Sequence, residues 1–325
     1  MAANGSTETR SSSLMQTGLL LVLLTAVISG VSTFVNLYAV PGTNSDAFVT
    51  VRNSAVAVLL IPFALVTTYG MARTRTPLSR NDWTRLVIIG VVGGGIPFLL
   101  FFHGLQLAAA SGAGETASFL YRTLFLIAAV LGILLLKEKF HWRIALAATL
   151  LLGGNLLLLS FTTPIWANGA GYVFAATAMW AGEYALSKQT MRTLPSQTVA
   201  LGRMGFGAIF LVGYLTFTSQ LSAVAAFTPG QWVWVAISGI LLTAFVLAWY
   251  AGLKRVDLGV ATAVLVLGFP ITWLLTVIAT GAPVTFIEVM GATAIAAGAA
   301  VAIGGKSLRS LGQYIRSSLF ERPTT

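Results

Sequence analysis

The 325-residue chain contains no cysteine, two histidines and nine acidic residues. Without thiols there are no disulfides, no thiolate metal sites and no redox chemistry at sulfur. His103 and His141 alone offer little from which to build a zinc site. Charge is the larger deficit. Asp, Glu, Lys and Arg make up only 9% of the chain, against about 25% in ordinary soluble domains, too few to cover a water-soluble globule of this size. No Gly-x-Ser-x-Gly elbow occurs and no aspartate pair falls inside an apolar run, so an intramembrane enzyme is not expected, nor a cofactor or metal. A channel is disfavoured in the same way, because neither a ring of acidic residues nor a repeated filter loop is visible.

What the chain has in excess is apolar surface: 57% of its residues are hydrophobic, and its mean hydropathy is +0.87. A helix needs about 20 apolar residues to cross roughly 30 Å of hydrocarbon. Segments of that kind lie near 15–38, 47–70, 84–108, 115–136, 142–160, 170–189, 197–217, 232–253, 258–279 and 285–304. The fold class is therefore all-α integral membrane, with ten transmembrane helices. Residues 1–13 read as a polar, disordered tail and 306–325 as a basic tail. The first apolar run is too long for a cleaved signal peptide, and nine more follow it.

The net charge of +10 has a topological origin. Alternate loops hold Arg73, Arg75, Arg80 and Arg85, then Lys137, Lys139 and Arg143, then Lys188 and Arg192, then Lys254 and Arg255, and finally Lys306, Arg309, Arg316 and Arg322. The intervening loops hold none. Positive charge on one side places both termini in the cytoplasm of a multi-pass plasma-membrane protein, and its dispersal among loops argues against a nucleic-acid partner.

The halves of the chain resemble each other. Gly104-Leu105 to Lys137-Glu138 lines up with Gly252-Leu253 to Gly281-Ala282, Ala147 and Gly154 with Gly291 and Gly298, and Arg52 with Arg203. Five spans per half, 14–160 and 161–305, require the second half to enter the membrane in the opposite sense, which makes two inverted five-helix repeats suited to alternating access. Within the spans, Gly93-Gly94-Gly95 precedes Pro97, and Pro270 occupies the ninth; both prolines predict kinks or hinges.

Four local patterns then resemble the drug/metabolite transporter superfamily in its ten-helix form with two EamA-type repeats. Leu135-Leu136-Lys137-Glu138-Lys139-Phe140 is similar to the Leu-Gly-Glu-Arg-Leu boundary between the fourth and fifth spans, with Lys137 in place of Gly. Ala113 to Leu120 is similar to the start of the fourth span, Trp180-Ala181-Gly182-Glu183-Tyr184 with Lys188 to the Trp-Gly-x-x-Tyr…Lys run, and Phe269-Pro270 to the proline of the ninth span. Three positions depart from the pattern: Arg122 stands where Pro is common, Ala282 replaces the second boundary Glu, and the first span lacks the Trp of the sixth. The resemblance implies a transporter of amino acids, drugs, nucleotide sugars or other metabolites, and several members export.

Ionisable groups at bilayer depth are costly, at least about 2.5–3.5 kcal/mol near a helix centre, so each calls for a partner or a watery cavity. Glu115 and Arg122 lie two turns apart on one face of the fourth span, where Arg122 is expected to attract a carboxylate or phosphate and Glu115 to pair with it or carry a proton. Glu183 is expected to bind an ammonium or a proton, or to pair with Arg203. Arg52 and Arg203 are candidates for gates or for helix-to-helix bonds, and His103 for a proton relay. Tyr121, Trp180, Tyr184, Trp249, Tyr250 and Trp273 are expected to shape a pocket, whereas Trp83, Trp142, Trp166 and Trp232 suit the interfacial belt. His141 and Glu288 read as interfacial or solvated. The chain is thus expected to export small organic solutes, amino acids or related metabolites, with protons as the candidate coupling ion. A lipophilic cation or drug exporter is the alternative, and it requires Glu115 or Glu183 to matter more than Arg122.

Overall fold

A computed structural model describes residues 2–39, 42–71, 77–111, 114–159 and 166–320. Arg73, Arg75, Arg322 and the side chain of Glu115 fall outside the described part, so the readings placed on them are not addressed by it.

Backbone amides in hydrocarbon must bond within their own segment, and the described chain is correspondingly helical. The first half comprises α1 (Ala2–Ala39), α2 (Ser45–Met71), α3 (Arg80–Ile89), a π-helical turn over Gly90–Gly95 that runs straight into α4 (Ile96–Ala110), α5 (Gly114–Arg122), α6 (Leu124–Leu136) and α7 (Trp142–Leu158). The second comprises α8 (Ala170–Thr190), α9 (Ser196–Phe217), the short surface helix α10 (Leu221–Ala225), α11 (Pro229–Leu253), α12 (Leu258–Leu265), α13 (Gly268–Thr280), α14 (Phe286–Ile303) and α15 (Gly305–Phe320). Among the described residues eight stretches are long and apolar enough to cross a membrane, and Trp142–Leu158 is a shorter apolar helix. The tenth pass is α8. It has the length, 21 residues, but is less apolar because much of its surface, including Glu183 and Ser187, is buried against protein. Large apolar side chains such as Val66, Leu134, Ile209 and Ile278 instead point outward, where lipid replaces water as solvent.

The repeat is visible in the packing. α2 packs on its counterpart α9, and α7 on its counterpart α14, while α1 against α11 is mirrored by α8 against α4. At the α7–α14 seam a Cβ on Gly154 would meet the Gly291 carbonyl at 2.7 Å, and a Cβ on Gly298 would meet that of Ala147 at 3.1 Å. The two contacts interchange when each residue is replaced by its repeat partner, as a two-fold axis in the membrane plane demands. Small residues at such a seam let the backbones approach in the absence of a hydrophobic drive.

Span four, expected as a continuous helix, is broken, and so is span nine, where Pro270 predicts a kink or hinge. The breaks fall at Thr123, between α5 and α6, and at Val266-Leu267, between α12 and α13. Equivalence holds further along: both spans end on left-handed residues, Lys137 at φ 59° and Gly281 at φ 65°. The symmetry is broken where the two interrupted spans meet. α6 packs against α12, but no comparable packing joins their counterparts α13 and α5 among the described residues.

The left-handed backbone at Lys137 gives a physical reason for glycine there, since a side chain in that region costs roughly 1 kcal/mol. Lys137→Gly is therefore expected to stabilise the protein by up to about 1 kcal/mol, read as a rise in thermal midpoint in detergent; an unchanged or lower midpoint would contradict the strain.

Candidate functional site

Pro97 is the starting point for the centre of the molecule. In an α-helix the carbonyl of Gly93 would accept from the amide of residue 97, and proline has no N–H to give. The preceding turn widens instead: the amide of Ile96 reaches back five residues to the Val91 carbonyl, the signature of a π-turn, a feature frequent at functional sites. The Gly93 carbonyl then accepts from the Trp180 indole Nε1 at 3.0 Å and from Arg203 Nη2 at 3.2 Å. One residue on, the Gly94 carbonyl accepts from Asn53 Nδ2 at 3.2 Å. Three other spans are thereby tied to one turn. Glycine is required because a Cβ on Gly207 would lie 2.6 Å from the Gly94 carbonyl carbon, and one on Gly93 would run into Glu183.

Glu183, from α8, is fully enclosed beside this turn. Its Oε1 accepts from the Tyr250 hydroxyl at 2.5 Å and from Ser187, one turn along the same helix. Its Oε2 lies 3.6 Å from Arg203 Nε. Arg203 also sits over the rings of Tyr184 and Tyr250, at 5.5 and 5.9 Å from their centroids. Such a pair is stable because each charge keeps several partners, whereas deleting one member strands the other.

Above this knot lies a cavity of about 240 Å³. Its wall is largely aromatic: Phe101, Tyr121 and Trp180 meet edge to face or tilted, each pair of ring centroids 5.4 Å apart, and Phe98 meets Trp180 at 5.3 Å. Ser29, Ser32, Thr33, Asn36 and Ser118 add neutral polar groups. Three arginines line it, Arg52, Arg122 and Arg203, and among the described residues no carboxylate does. Arg52 is spent on Asn53 Oδ1, at 3.1 and 3.0 Å, and lies between phenylalanine rings, with Phe98 at 5.2 Å. Arg122 differs: its guanidinium carbon stands 3.6 Å from the centroid of Phe269, its buried Nε, like that of Arg203, has no hydrogen-bond partner, and among the described residues no carboxylate pairs with it as Glu183 does with Arg203. It sits at the break between α5 and α6, against the ring just before Pro270 beside the matching break.

Of the residues singled out from sequence, Tyr121, Arg122, Trp180, Tyr184, Arg52 and Arg203 are thus brought together on the cavity, and Glu183 and Pro97 stand immediately behind it. The rest lie elsewhere. Trp249 and Tyr250 are wholly buried outside the lining, Trp249 packing on Tyr184 at 4.7 Å between ring centroids. Trp273 does not line the cavity, and His103 is exposed, edge-on to Tyr172 at 4.9 Å. His141 is exposed and Glu288 caps α14.

Sequence reasoning overlooked several participants. Asn53 follows Arg52 directly, and Ser187 is four residues after Glu183, so helical spacing was the available signal for the second. Glu138 had been noted only as a boundary mark. Its carboxylate accepts from the backbone amides of Leu258 at 2.7 Å and Gly259 at 3.4 Å, capping α12 across the repeat boundary, and pairs with Lys188 at 3.5 Å. Lys188 further donates to the carbonyls of Leu253, at 3.2 Å, and Val256.

A model of the EamA-like transporter family matches residues 16–160 and again 167–304, once per half. A solved crystal structure of a protein 19% identical to this chain shares its fold, with a TM-score of 0.70 over 88% of this chain and 96% of the other. No curated protein matches in sequence.

Removing one partner of an enclosed ion pair costs about 3–5 kcal/mol, and removing both costs less than the sum. Glu183→Gln is therefore expected to lower the thermal midpoint markedly, and Glu183→Gln combined with Arg203→Gln to recover part of that loss. Additive losses in the double variant would show that the two side chains are not coupled.

Proposed function

This chain belongs to the EamA-like transporter family, and from that premise we propose that it exports small organic solutes carrying a carboxylate or a similar anionic group, amino acids or related metabolites, across the plasma membrane. Membership makes it a multi-pass membrane transporter of small solutes and not an enzyme. The observation that carries the finer reading is the charge of the cavity: three guanidinium groups line it, and among the described residues the carboxylate behind it, Glu183, is already engaged by Arg203, Tyr250 and Ser187. Arg122 is the group with bonding capacity left, so it is assigned the substrate's anionic end. The aromatic wall formed by Tyr121, Trp180, Tyr184 and the neighbouring phenylalanines would receive the rest of the solute, an ammonium group included.

A lipophilic cation fits less well, because it would face three like charges and find its best counter-ion taken. Any coupling proton is assigned to Glu183 in preference to His103, which stands outside the cavity.

The asymmetry between the two interrupted spans supports alternating access. Packing of α6 on α12 closes the end that bears the basic loops, taken as cytoplasmic under the positive-inside rule. The cavity lining reaches toward the other end, to Leu37 and Leu105. Exchanging that contact for one between α5 and α13 would move the opening to the cytoplasmic side, with the breaks at Thr123 and Val266-Leu267 and the π-turn before Pro97 as the places where the backbone gives.

Counterflow of a labelled metabolite mixture in proteoliposomes tests this reading. Accumulation of carboxylate-bearing solutes is expected, and Arg122→Gln should slow it by about 10–100-fold, the worth of one hydrogen-bonded charge. Glu183→Gln, compared per folded protein, should cost less. The opposite order of effects, with cationic solutes exchanged, would favour the lipophilic-cation exporter; no exchange of any solute would count against transport itself.

A further inference from the structure

A second cavity, also of about 240 Å³, opens at the end of the molecule that bears the basic loops, between Met15 and Leu19 of α1, the α6–α7 connection, the start of α12 and the junction of α14 with α15. It shares no residue with the aromatic cavity. Its walls divide by depth. Leu19, Ile133 and Val260 make an apolar floor facing the hydrocarbon side, whereas Lys139, Arg143 and Arg255 stand at the rim, all three exposed. Glu138 and Asp257 also line it, but Glu138 is neutralised by Lys188 at 3.5 Å and by the α12 amides. The rim is left with three cationic side chains against Asp257. His141, at the same rim, gives α7 no side-chain cap, so the positive end of that helix adds to the field.

A free anion would need only the rim, and a neutral lipid only the floor. The combination of both, beside the exposed apolar side chains Leu14, Met15 and Leu134, matches a molecule with an anionic head and hydrocarbon tails. We propose that this groove binds the headgroup of one anionic phospholipid from the adjoining leaflet, its phosphate among Lys139, Arg143 and Arg255 and its chains along α1 and α6. Basic pockets between transmembrane helices at a membrane surface are suited to such headgroups. The bound lipid would touch the α6–α7 turn that carries Glu138 and the start of α12 that Glu138 caps, the two pieces held together when this end is closed.

Native mass spectrometry of the purified full chain in a neutral detergent tests the assignment, with dioleoylphosphatidylglycerol, dioleoylphosphatidylcholine and inorganic phosphate as probes. One phosphatidylglycerol should be retained per chain at concentrations where phosphatidylcholine is not, and excess inorganic phosphate should not displace it. Arg143→Gln with Arg255→Gln should weaken retention roughly ten- to thirtyfold, while Arg80→Gln with Arg85→Gln, the same charge removed from another loop at that end, should not. Equal retention of the two lipids, or equal weakening in the two double variants, would overturn a specific site. Displacement by phosphate alone would overturn the lipid in favour of a free anion. If the first double variant fails to fold, the comparison of the three probes on the unaltered chain still decides.

Discussion

The centre of the protein depends on a carbonyl that its own helix cannot use. Pro97 has no amide hydrogen, and the chain responds by widening into a π-turn across three consecutive glycines, which leaves the Gly93 oxygen facing sideways. In a low-dielectric interior an unpaired carbonyl is costly, and here the indole of Trp180 and the guanidinium of Arg203 satisfy it. Those two side chains come from α8 and α9, both in the other half of the chain, so a local backbone defect in the first repeat becomes a joint between repeats. The glycines serve the same end, since Gly93 and Gly94 let Glu183 and the α9 backbone approach more closely than any side chain would allow.

Once Arg203 is held there, the remaining electrostatics follow. It pairs with Glu183 at 3.6 Å, Glu183 also accepts from Tyr250 and Ser187, and the acid lies off the cavity surface. Arg52, the repeat partner of Arg203, is quenched differently, by Asn53 and three aromatic rings. Arg122 has only the face of Phe269. Three positive charges within the spans are tolerated because each is wrapped by aromatic faces or hydrogen bonds, and the wrapping is thinnest at Arg122.

Much of this was legible in the chain itself. Hydropathy sets the spans, the alternation of Lys and Arg among loops gives their expected orientation, and the residues that the repeat lines up, Ala147 and Gly154 with Gly291 and Gly298, meet at one seam. Arg122, Glu183, Tyr121 and Trp180 were found because charge and large aromatics at bilayer depth are conspicuous. What stayed hidden depends on tertiary partners. Nothing in Gly90–Gly95 distinguishes a π-turn from a loosely packed helix until Trp180 and Arg203 are seen to need its carbonyl, and Trp249 and Tyr250 carry the same chemistry as the cavity aromatics while facing the core. Pro270 foretold the break in span nine, which falls at Val266-Leu267 because the Val266 carbonyl has no amide four residues on to accept from; the break at Thr123 escaped because no proline follows it in span four.

Glu138 has no counterpart, because the equivalent place in the second repeat is Ala282. The described residues carry a clasp at one end, where a carboxylate, Lys188 and two helix-terminal amides tie the α6–α7 turn, α8 and the start of α12 together. A side chain with no acceptor stands at the matching turn, so one glutamate set against one alanine makes the two ends of a duplicated bundle chemically different although their backbones correspond.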